Sequence, residues 1–215
     1  ALEQELFPVI FDPSVMPKRV NQAAGEDLLL TSACNYYAPG ITQAEAEEFY
    51  ARQKAEGDQQ HPIMYGMNSR LERAADGSLH ENVWRADGMS GAAIRQIVQM
   101  LSRAIPYAEN ERQQSVIRKL IEFYETGNLA VFDAYTILWV EETEGEVDFT
   151  NGFTEVYGDP LGLKGTWEGI VEYKDLEATQ RTQTISKNAQ WFEDHSPVDP
   201  RFRKPEVKGV TANVI

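Results

Sequence analysis

One ten-residue segment, Asn151–Pro160, holds the side chains best suited to chemistry, in the order Asn-Gly-Phe-Thr-Glu-Val-Tyr-Gly-Asp-Pro. It overlaps a run of alternating residues, Val147–Tyr157, that predicts a β-strand. Same-face residues of a strand lie about 6.5–7 Å apart, so Glu155 and Tyr157 should project together into one cleft. A carboxylate beside a phenol suits a ligand that carries a cation next to a polarised carbonyl. The alternative is that Tyr157 packs at the strand end and Glu155 faces water.

Metal chemistry is not expected from the chain's own side chains. His61, His80 and His195 are far apart in sequence, and His80-Glu81 is not followed by a second histidine at helical spacing. Cys34 is the only cysteine. A catalytic zinc needs about three N, O or S ligands that converge on one point, and the sequence predicts no such set. The sequence also lacks a Gly-rich phosphate loop, a Gly-x-Ser-x-Gly elbow and a Cys-x-x-Cys pair.

Composition excludes several classes of protein. The 215 residues include 20 Lys and Arg against 34 Asp and Glu, a net charge of −14 without a segregated basic patch, so we expect no nucleic-acid partner. No run approaches the ~18 apolar residues of a membrane span, and we expect no membrane association. Apolar residues make up 42%, enough for a hydrophobic core. The sequence begins at Ala1 without an initiator methionine, and we expect a piece of a larger protein.

The elements that position the segment follow from local patterns. Two short apolar runs, Leu6–Phe11 and Asp27–Ser32, are expected to be extended. A capping box at Thr42–Glu45 predicts a helix up to Gly57. Runs at 63–73 and 79–85 flank the turn sequence Ala-Asp-Gly-Ser and predict a β-hairpin.

Three further helices are predicted between the hairpin and the candidate strand, and another beyond it. The first carries apolar residues at three-and-four spacing from Ile94 to Ile105, where Pro106 should end it. The second should end at Gly127 with a left-handed cap, and Asn128 should cap the third. Beyond the candidate strand, Asp159 and Pro160 should form a turn that Gly162 and Gly165 keep tight. We then expect a long helix over residues 167–194, with a possible break at 174–175, and a final strand over 207–215.

Two longer stretches resemble a known family. Residues 151–171 contain Gly-Phe-x-Glu-x-Tyr-x-Asp-Pro-x-Gly-x-x-Gly-x-x-Glu-Gly, a motif similar to that of the dipeptidyl peptidase III family of zinc exopeptidases. Residues 188–202, Asn-Ala-Gln-Trp-Phe-Glu-Asp-His-Ser-Pro-Val-Asp-Pro-Arg-Phe, resemble the bacterial branch of that family. The motif combines some ten positions at fixed spacing, which makes it far more specific than a lone Gly-rich loop.

The resemblance implies roles for individual residues. In that family the glutamate of the motif helps to anchor the free amino terminus of the substrate, and the tyrosine helps to stabilise the transition state. These roles would fall on Glu155 and on Tyr157, the implied catalytic residue. Asn151, Gly152 and Phe153 of the same strand are expected to contribute to substrate binding. An oligopeptide is the implied substrate, and its first two residues would be released together.

The resemblance also implies what the chain lacks. The family binds zinc through a His-Glu-x-x-Gly-His helix and a later Glu-Glu-x-Arg-Ala-Glu stretch, and neither occurs in these 215 residues. We therefore expect an internal fragment of a zinc-dependent parent, with the remainder of that chain as its partner. The fragment itself should bind no zinc and should be folded but hydrolytically inert.

The sequence thus predicts an α+β fragment of a two-lobed peptidase, with several packed helices around a small, largely antiparallel β region. Residues 1–160 would belong to the lobe without zinc, 161–205 would begin the zinc lobe, and 206–215 would return to the first lobe. A cytoplasmic parent is expected. Two rival hypotheses remain open: a stand-alone peptide-binding module, and a carboxylate-based hydrolase in which Glu155 acts with Glu168 or Asp159.

Overall fold

The computed structural model describes residues 2–208 and 214, and they form an α+β arrangement as predicted. The helices are α1 (Leu2–Phe11), α2 (Gln43–Glu56), α3 (Gly91–Ala104), α4 (Glu111–Thr126), α5 (Leu129–Glu141), α6 (Leu176–Lys187) and α7 (Ala189–His195), with 3₁₀ turns at Ile105–Tyr107 and Pro200–Phe202. The strands are β1 (Ser69–Arg73), β2 (Leu79–Val83), β3 (Val147–Glu155) and β4 (Thr166–Tyr173). β1 pairs with β2, and β3 pairs with β4, in two separate two-stranded sheets.

The chain divides into two compact units. The first comprises Ala1–Thr143 with Asn151–Glu168, and the second comprises Glu144–Thr150 with Gly169–Ile215. The sequence-based assignment of 1–160, 161–205 and 206–215 to the lobes of a parent protein stays a prediction. Within the part of the chain that the structure describes, no helix combines the length and apolar character needed to cross a bilayer.

The first unit has two neighbouring apolar cores. One surrounds the hairpin and α2, and its members are Leu29, Tyr36, Tyr37, Ile41, Ala46, Tyr50 and Leu71. The other is largely aromatic and is built on α4 and α5, where Phe123 lies 4.7 Å from Phe132 and 6.5 Å from Phe153, ring centre to ring centre. Phe123 is fully buried, so this cluster anchors β3 against the two helices.

Helix caps and turns in the first unit confirm the local predictions. Thr42 and Glu45 form the reciprocal capping box at the start of α2. Gly127 ends α4 with φ +70°, and the side chain of Asn128 accepts a bond from the Ala130 N–H, 2.9 Å long, to cap α5. The hairpin register runs from Ser69 opposite Val83 to Arg73 opposite Leu79. These features are specified by a few adjacent residues, and the sequence therefore predicts them well.

Both short apolar runs near the amino terminus were wrongly predicted to be extended. Residues 2–11 form α1, in which Phe7 and Phe11 are one helical turn apart with ring centres at 4.6 Å. Pro8 removes only one N–H from this helix, and the Asp12 N–H still donates to the carbonyl of Pro8 at 2.9 Å. Residues 27–32 form a turn instead of a strand, because the Asp27 carboxylate accepts the N–H groups of Leu29 and Leu30.

The single long helix predicted over residues 167–194 is also wrong. Its first part is β4, since the aromatic and β-branched residues of Thr166–Tyr173 suit a strand and pair with β3. α6 begins at the predicted break. The Asp175 side chain caps this helix by accepting the Ala178 N–H at 2.9 Å. A second interruption lies at Asn188, between the end of α6 and the start of α7. The side-chain amide of Asn188 donates a hydrogen bond to the Thr184 carbonyl. Of the predicted final strand 207–215, residues 209–213 and 215 lie outside the described residues.

Candidate functional site

A groove of about 620 Å³ lies at the carboxyl end of β3. Its lining residues are Val20, Gln22, Thr154, Glu155, Val156, Tyr157, Asp159, Pro160, Leu161 and Gly162. Both residues singled out by the motif border this groove: Glu155 is exposed, and Tyr157 is 79% exposed. A volume of this size accommodates a short peptide. The side chains are therefore accessible for binding, and neither packs into a core.

Tyr157 does not lie on the strand that was predicted to carry it. β3 ends at Glu155, and the chain then turns, with the Asp159 N–H bonded to the Val156 carbonyl at 3.0 Å. The prediction of a strand up to Tyr157 was wrong by two residues because Gly158 and Asp159 favour a turn. Glu155 and Tyr157 share the groove through this turn, without the strict alternation that the sequence suggested.

Asn151 and Phe153 border a different groove, a largely apolar one of about 880 Å³ that is also lined by α3 and by residues 165–167 of the same unit. The Asn151 carboxamide oxygen accepts a bond from the Tyr124 hydroxyl, which in turn accepts one from the Trp167 indole at 2.8 Å. Phe153 is 5% exposed and stacks on Trp84 with ring centres 5.5 Å apart. The structure therefore separates these two residues from Glu155 and Tyr157, and their predicted role in substrate binding stays a prediction.

Gly152 supports the strand through its backbone. Its φ of +148° is a conformation that residues with side chains rarely adopt, and an added Cβ would lie 2.7 Å from the Phe132 ring. The glycine lets β3 approach α5 closely. It has no side chain to offer a ligand, and it is buried.

Asp159 organises the loop that follows Tyr157. Its buried carboxylate accepts the N–H groups of Leu163 and Lys164 at 2.8 and 3.0 Å and the hydroxyl of Tyr37 at 2.9 Å. Burial raises the pKa of Tyr37, and the neighbouring Asp159 charge raises it further, so the phenol remains a donor. The predicted role of Asp159 in shaping this turn is confirmed, and its network extends into the core around Tyr37.

At the far end of the same loop, Lys164 has a fully buried side chain. Its ammonium donates to the Tyr50 hydroxyl and, at 3.0 Å, to Ser69 Oγ, and it lies 3.8 Å from the Glu81 carboxylate. The same nitrogen is 4.6 Å from the centre of the Tyr50 ring. Burial lowers the pKa of Lys164 to about 8, against the opposing influence of Glu81 and Asp159. The loop is thus held at both ends by buried charged groups.

The lowered pKa of Lys164 predicts a specific dependence of stability on pH. Between about pH 8 and 10.5 the unfolded chain binds a proton at this site that the folded chain does not, so stability should rise as the pH increases. The full effect corresponds to about 3 kcal/mol. Urea unfolding at pH 8.0 and 9.5 should show the rise in the wild-type chain and not in Lys164→Met. An NMR titration of the Lys164 side chain with a midpoint near 10.5 would contradict this prediction.

The described residues do not fit a zinc ion. Residues 2–208 and 214 contain no group of three or more His, Cys, Asp or Glu side chains that could hold a metal. His61 is exposed and contacts Asp58 at 3.1 Å, His80 lies 3.9 Å from Glu72, and His195 stacks on a neighbouring tryptophan ring. The three histidines thus serve separate local contacts and do not converge on one point, as zinc ligands must.

Sequence comparison identifies the family. A model of peptidase family M49 matches residues 43–209, more than half of the chain. The chain belongs to this family. The match covers β3, the groove residues from Thr154 to Gly162 and the loop up to Lys164, and it leaves out the groove residues Val20 and Gln22.

Relatives within family M49 are much longer than this chain. Dipeptidyl peptidase 3 of Dictyostelium discoideum is 26% identical over 188 residues, which cover 79% of this chain and 26% of the relative. The human protein of the same name is 25% identical over 111 residues, covering 52% of this chain and 15% of the relative. The chain thus spans about a quarter or less of the length of these relatives.

Solved structures of the family share the fold. Dipeptidyl-peptidase III from Corallococcus sp. strain EGB superposes with a TM-score of 0.59 at 21% identity, covering 86% of this chain and 33% of that one. The corresponding protein from Caldithrix abyssi gives a TM-score of 0.64 at 14% identity, covering 86% of this chain and 35% of that one. At these identities the likeness concerns the fold alone.

Three residues of the site were missed by the sequence analysis. Lys164 occupies a variable position of the Gly-x-x-Gly part of the motif, and nothing in its neighbours indicates burial. Val20 and Gln22 border the groove from a segment without regular structure or motif. Their contributions depend on contacts between residues that are far apart in the sequence, such as Gln22 and Pro160 or Lys164 and Ser69, for which the sequence alone carries no signal.

Proposed function

We propose that this chain supplies part of the substrate groove of a zinc-dependent dipeptidyl peptidase, which releases dipeptides from the amino ends of oligopeptides. Membership of family M49 supports the peptidase class. The observation that carries the proposal is that Glu155 and Tyr157 border one groove at the end of β3, both with accessible side chains. The zinc ligands would come from outside this chain, and the chain by itself is expected to be inert.

In this proposal Glu155 binds the ammonium group of the substrate. A carboxylate and an ammonium form a short charge-assisted hydrogen bond, and binding of the amino end at Glu155 would set the distance along the peptide to the bond that is cleaved. Tyr157 follows two residues later and donates its phenolic O–H to the oxygen of the second carbonyl as negative charge develops there. Peptides would therefore be read from their free amino end.

The alternative of a carboxylate-based hydrolase has less support. Asp159 is 2% exposed and its oxygens accept bonds from three backbone N–H groups and from Tyr37, so it is not free to act as a second acid. The Glu168 carboxylate accepts a bond from the Thr154 hydroxyl on the neighbouring strand. A stand-alone peptide-binding module would use the same groove, and it differs from the proposal only in lacking a catalytic partner.

Glu155→Gln tests the amine anchor. The substitution keeps the shape of the side chain and removes its charge, a contribution of roughly 1.5–3 kcal/mol for a bond to a charged group. We expect a peptide with a free amino terminus to bind the 215-residue chain about 10–150-fold more weakly, and its acetylated version to bind with unchanged affinity. Calorimetry or NMR titration of both peptides gives the comparison.

A matched control is Glu48→Gln, which removes the same charge from an exposed glutamate of α2 that does not border the groove. It should leave both affinities unchanged. Equal losses for the free and the acetylated peptide in Glu155→Gln, or no loss for either, would rule out the amine anchor.

A further inference from the structure

The largely apolar groove of about 880 Å³ that Asn151 and Phe153 border is not used by the proposed function. All of its lining residues belong to the first unit of the chain. None of them is charged, although charged residues make up 25% of the sequence. An uncharged, apolar groove that is open to solvent is typical of an interface that another element covers.

Helix α3 lines the groove with an apolar stripe that is only partly buried. The helix packs against α4, and Ile94 is 4% exposed. Ile97, Met100 and Leu101 follow at three-and-four spacing and border the groove. Met100 is 55% exposed, and Ile97 and Leu101 are half-buried. Because a helix of a globular protein normally buries its apolar stripe, this part of α3 is suited to contact a further element.

The remaining lining of the groove is rich in aromatic rings whose polar atoms are engaged within the chain. The Tyr36 hydroxyl and Thr166 Oγ1 share a hydrogen bond of 2.9 Å. The Trp167 indole N–H donates to the Tyr124 hydroxyl at 2.8 Å, and this hydroxyl donates to the carboxamide oxygen of Asn151. Trp167 is nevertheless 44% exposed. This lining therefore offers a partner mainly the faces of aromatic rings, which suit apolar side chains better than a peptide backbone.

The length of the relatives indicates which partner covers the groove. This chain covers 33% of the Corallococcus structure and 35% of the Caldithrix abyssi structure, so about two thirds of such a chain lie outside the compared region. A second copy is disfavoured, because the net charge of −14 on each copy would oppose association. A substrate peptide is disfavoured, because no charged group lines the groove to bind its termini.

The charges of α3 define the partner further. The helix contains Arg95 and Arg103 and no acidic residue, in a chain that is acidic overall. Neither arginine forms an ion pair within residues 2–208 and 214. A partner with acidic residues beside its apolar ones would complement both the charge and the stripe of this helix.

We propose that the groove docks an apolar segment, flanked by acidic residues, from the part of the full-length peptidase outside these 215 residues. The inference rests on membership of family M49 and on the length of its members, and it does not depend on the roles of Glu155 and Tyr157. Docking would remove Met100 and Trp167 from water. Both side chains should therefore be accessible in the 215-residue chain and protected in the full-length protein.

The test compares introduced thiols in these two proteins. Met100→Cys places a thiol in the groove, and Gln99→Cys is the matched control at the neighbouring exposed position of α3, which does not border the groove. N-ethylmaleimide labels both, and mass spectrometry of the peptides separates each from Cys34. In the 215-residue chain their rates should agree within about threefold. In the full-length protein Met100→Cys should react about 100-fold more slowly than in the 215-residue chain, and Gln99→Cys should keep its rate.

Photo-cross-linking identifies the segment that covers the groove. Gln96 borders the groove and is exposed, so its replacement by benzoylphenylalanine places the reactive group there with little disturbance. A cross-link from the full-length protein to a segment outside residues 1–215 would support the proposal. A cross-link only within these residues, or to a second copy, would overturn it.

Two labelling results would also overturn the proposal. One is an equal rate for Met100→Cys in both proteins, which would show that the groove stays open. The other is equal protection of Met100→Cys and Gln99→Cys, which would show that α3 is enclosed as a whole without use of the groove. None of these measurements involves peptide binding or cleavage, so the failure of this inference would leave the proposed function standing, and the loss of the amine anchor at Glu155 would leave the docking intact.

Discussion

Tyr157→Phe is expected to lower the turnover number of the full-length peptidase by about 10–10³-fold while peptide affinity changes little. The hydroxyl of Tyr157 acts in the proposal mainly when negative charge develops on the substrate oxygen, so its loss affects the transition state more than the bound substrate. The 79% exposure of the side chain, at the border of the groove, leaves the hydroxyl free to make this contact. Steady-state kinetics on a dipeptidyl naphthylamide substrate give both numbers.

Tyr107→Phe is the matched control for this substitution. Tyr107 is 87% exposed, lies in the 3₁₀ turn after α3 and does not border the groove, so its substitution should leave both kinetic constants unchanged. An unchanged turnover number in Tyr157→Phe would remove this tyrosine from the mechanism. A loss of affinity equal to the loss of turnover would instead assign it to substrate binding.

Asp159→Ala is expected to reduce the free energy of unfolding by about 3–5 kcal/mol. The substitution leaves the N–H groups of Leu163 and Lys164 and the hydroxyl of Tyr37 without their acceptor, and a buried unsatisfied donor costs about 1–3 kcal/mol. It also removes one of the two carboxylates that favour the charged form of buried Lys164. Urea denaturation of the 215-residue chain measures the loss.

The control is Asp76→Ala in the turn of the hairpin. The Asp76 side chain also accepts a backbone N–H two residues later, that of Ser78 at 3.0 Å, but it is exposed. Water replaces the lost partner there, and the cost should stay below about 1 kcal/mol. If the two aspartate variants lose the same free energy of unfolding, the loop after Tyr157 does not depend on its buried acceptor.

The sequence predicted much of the secondary structure because many elements depend on adjacent residues. The capping box at Thr42, the left-handed cap at Gly127 and the hairpin turn around Gly77 each need only three or four consecutive positions. Failures occurred where a short segment suits more than one state. The residues of β4 are compatible with either helix or strand, and pairing with β3 decides between them.

The residues of the groove divide in the same way, into those that a local motif identifies and those that only tertiary contacts bring together. The motif by itself identified Glu155 and Tyr157 and the turn at Asp159, because these residues lie within five positions of one another. Gln22 borders the same groove although it precedes its partner Pro160 by 138 positions in the sequence, and only the tertiary structure brings its side chain there. Asn151 and Phe153 were expected beside Glu155, but the packing of β3 against α4 and α5 directs them to another groove.

The sequence on its own determined the family, the motif and the local caps, since each is written in contiguous or regularly spaced residues. Only the tertiary structure determined that Lys164 is fully buried, because its partners Tyr50, Ser69 and Glu81 come from α2, β1 and β2. A buried charge is stable only when partners from distant segments converge on it, and no local pattern records that convergence.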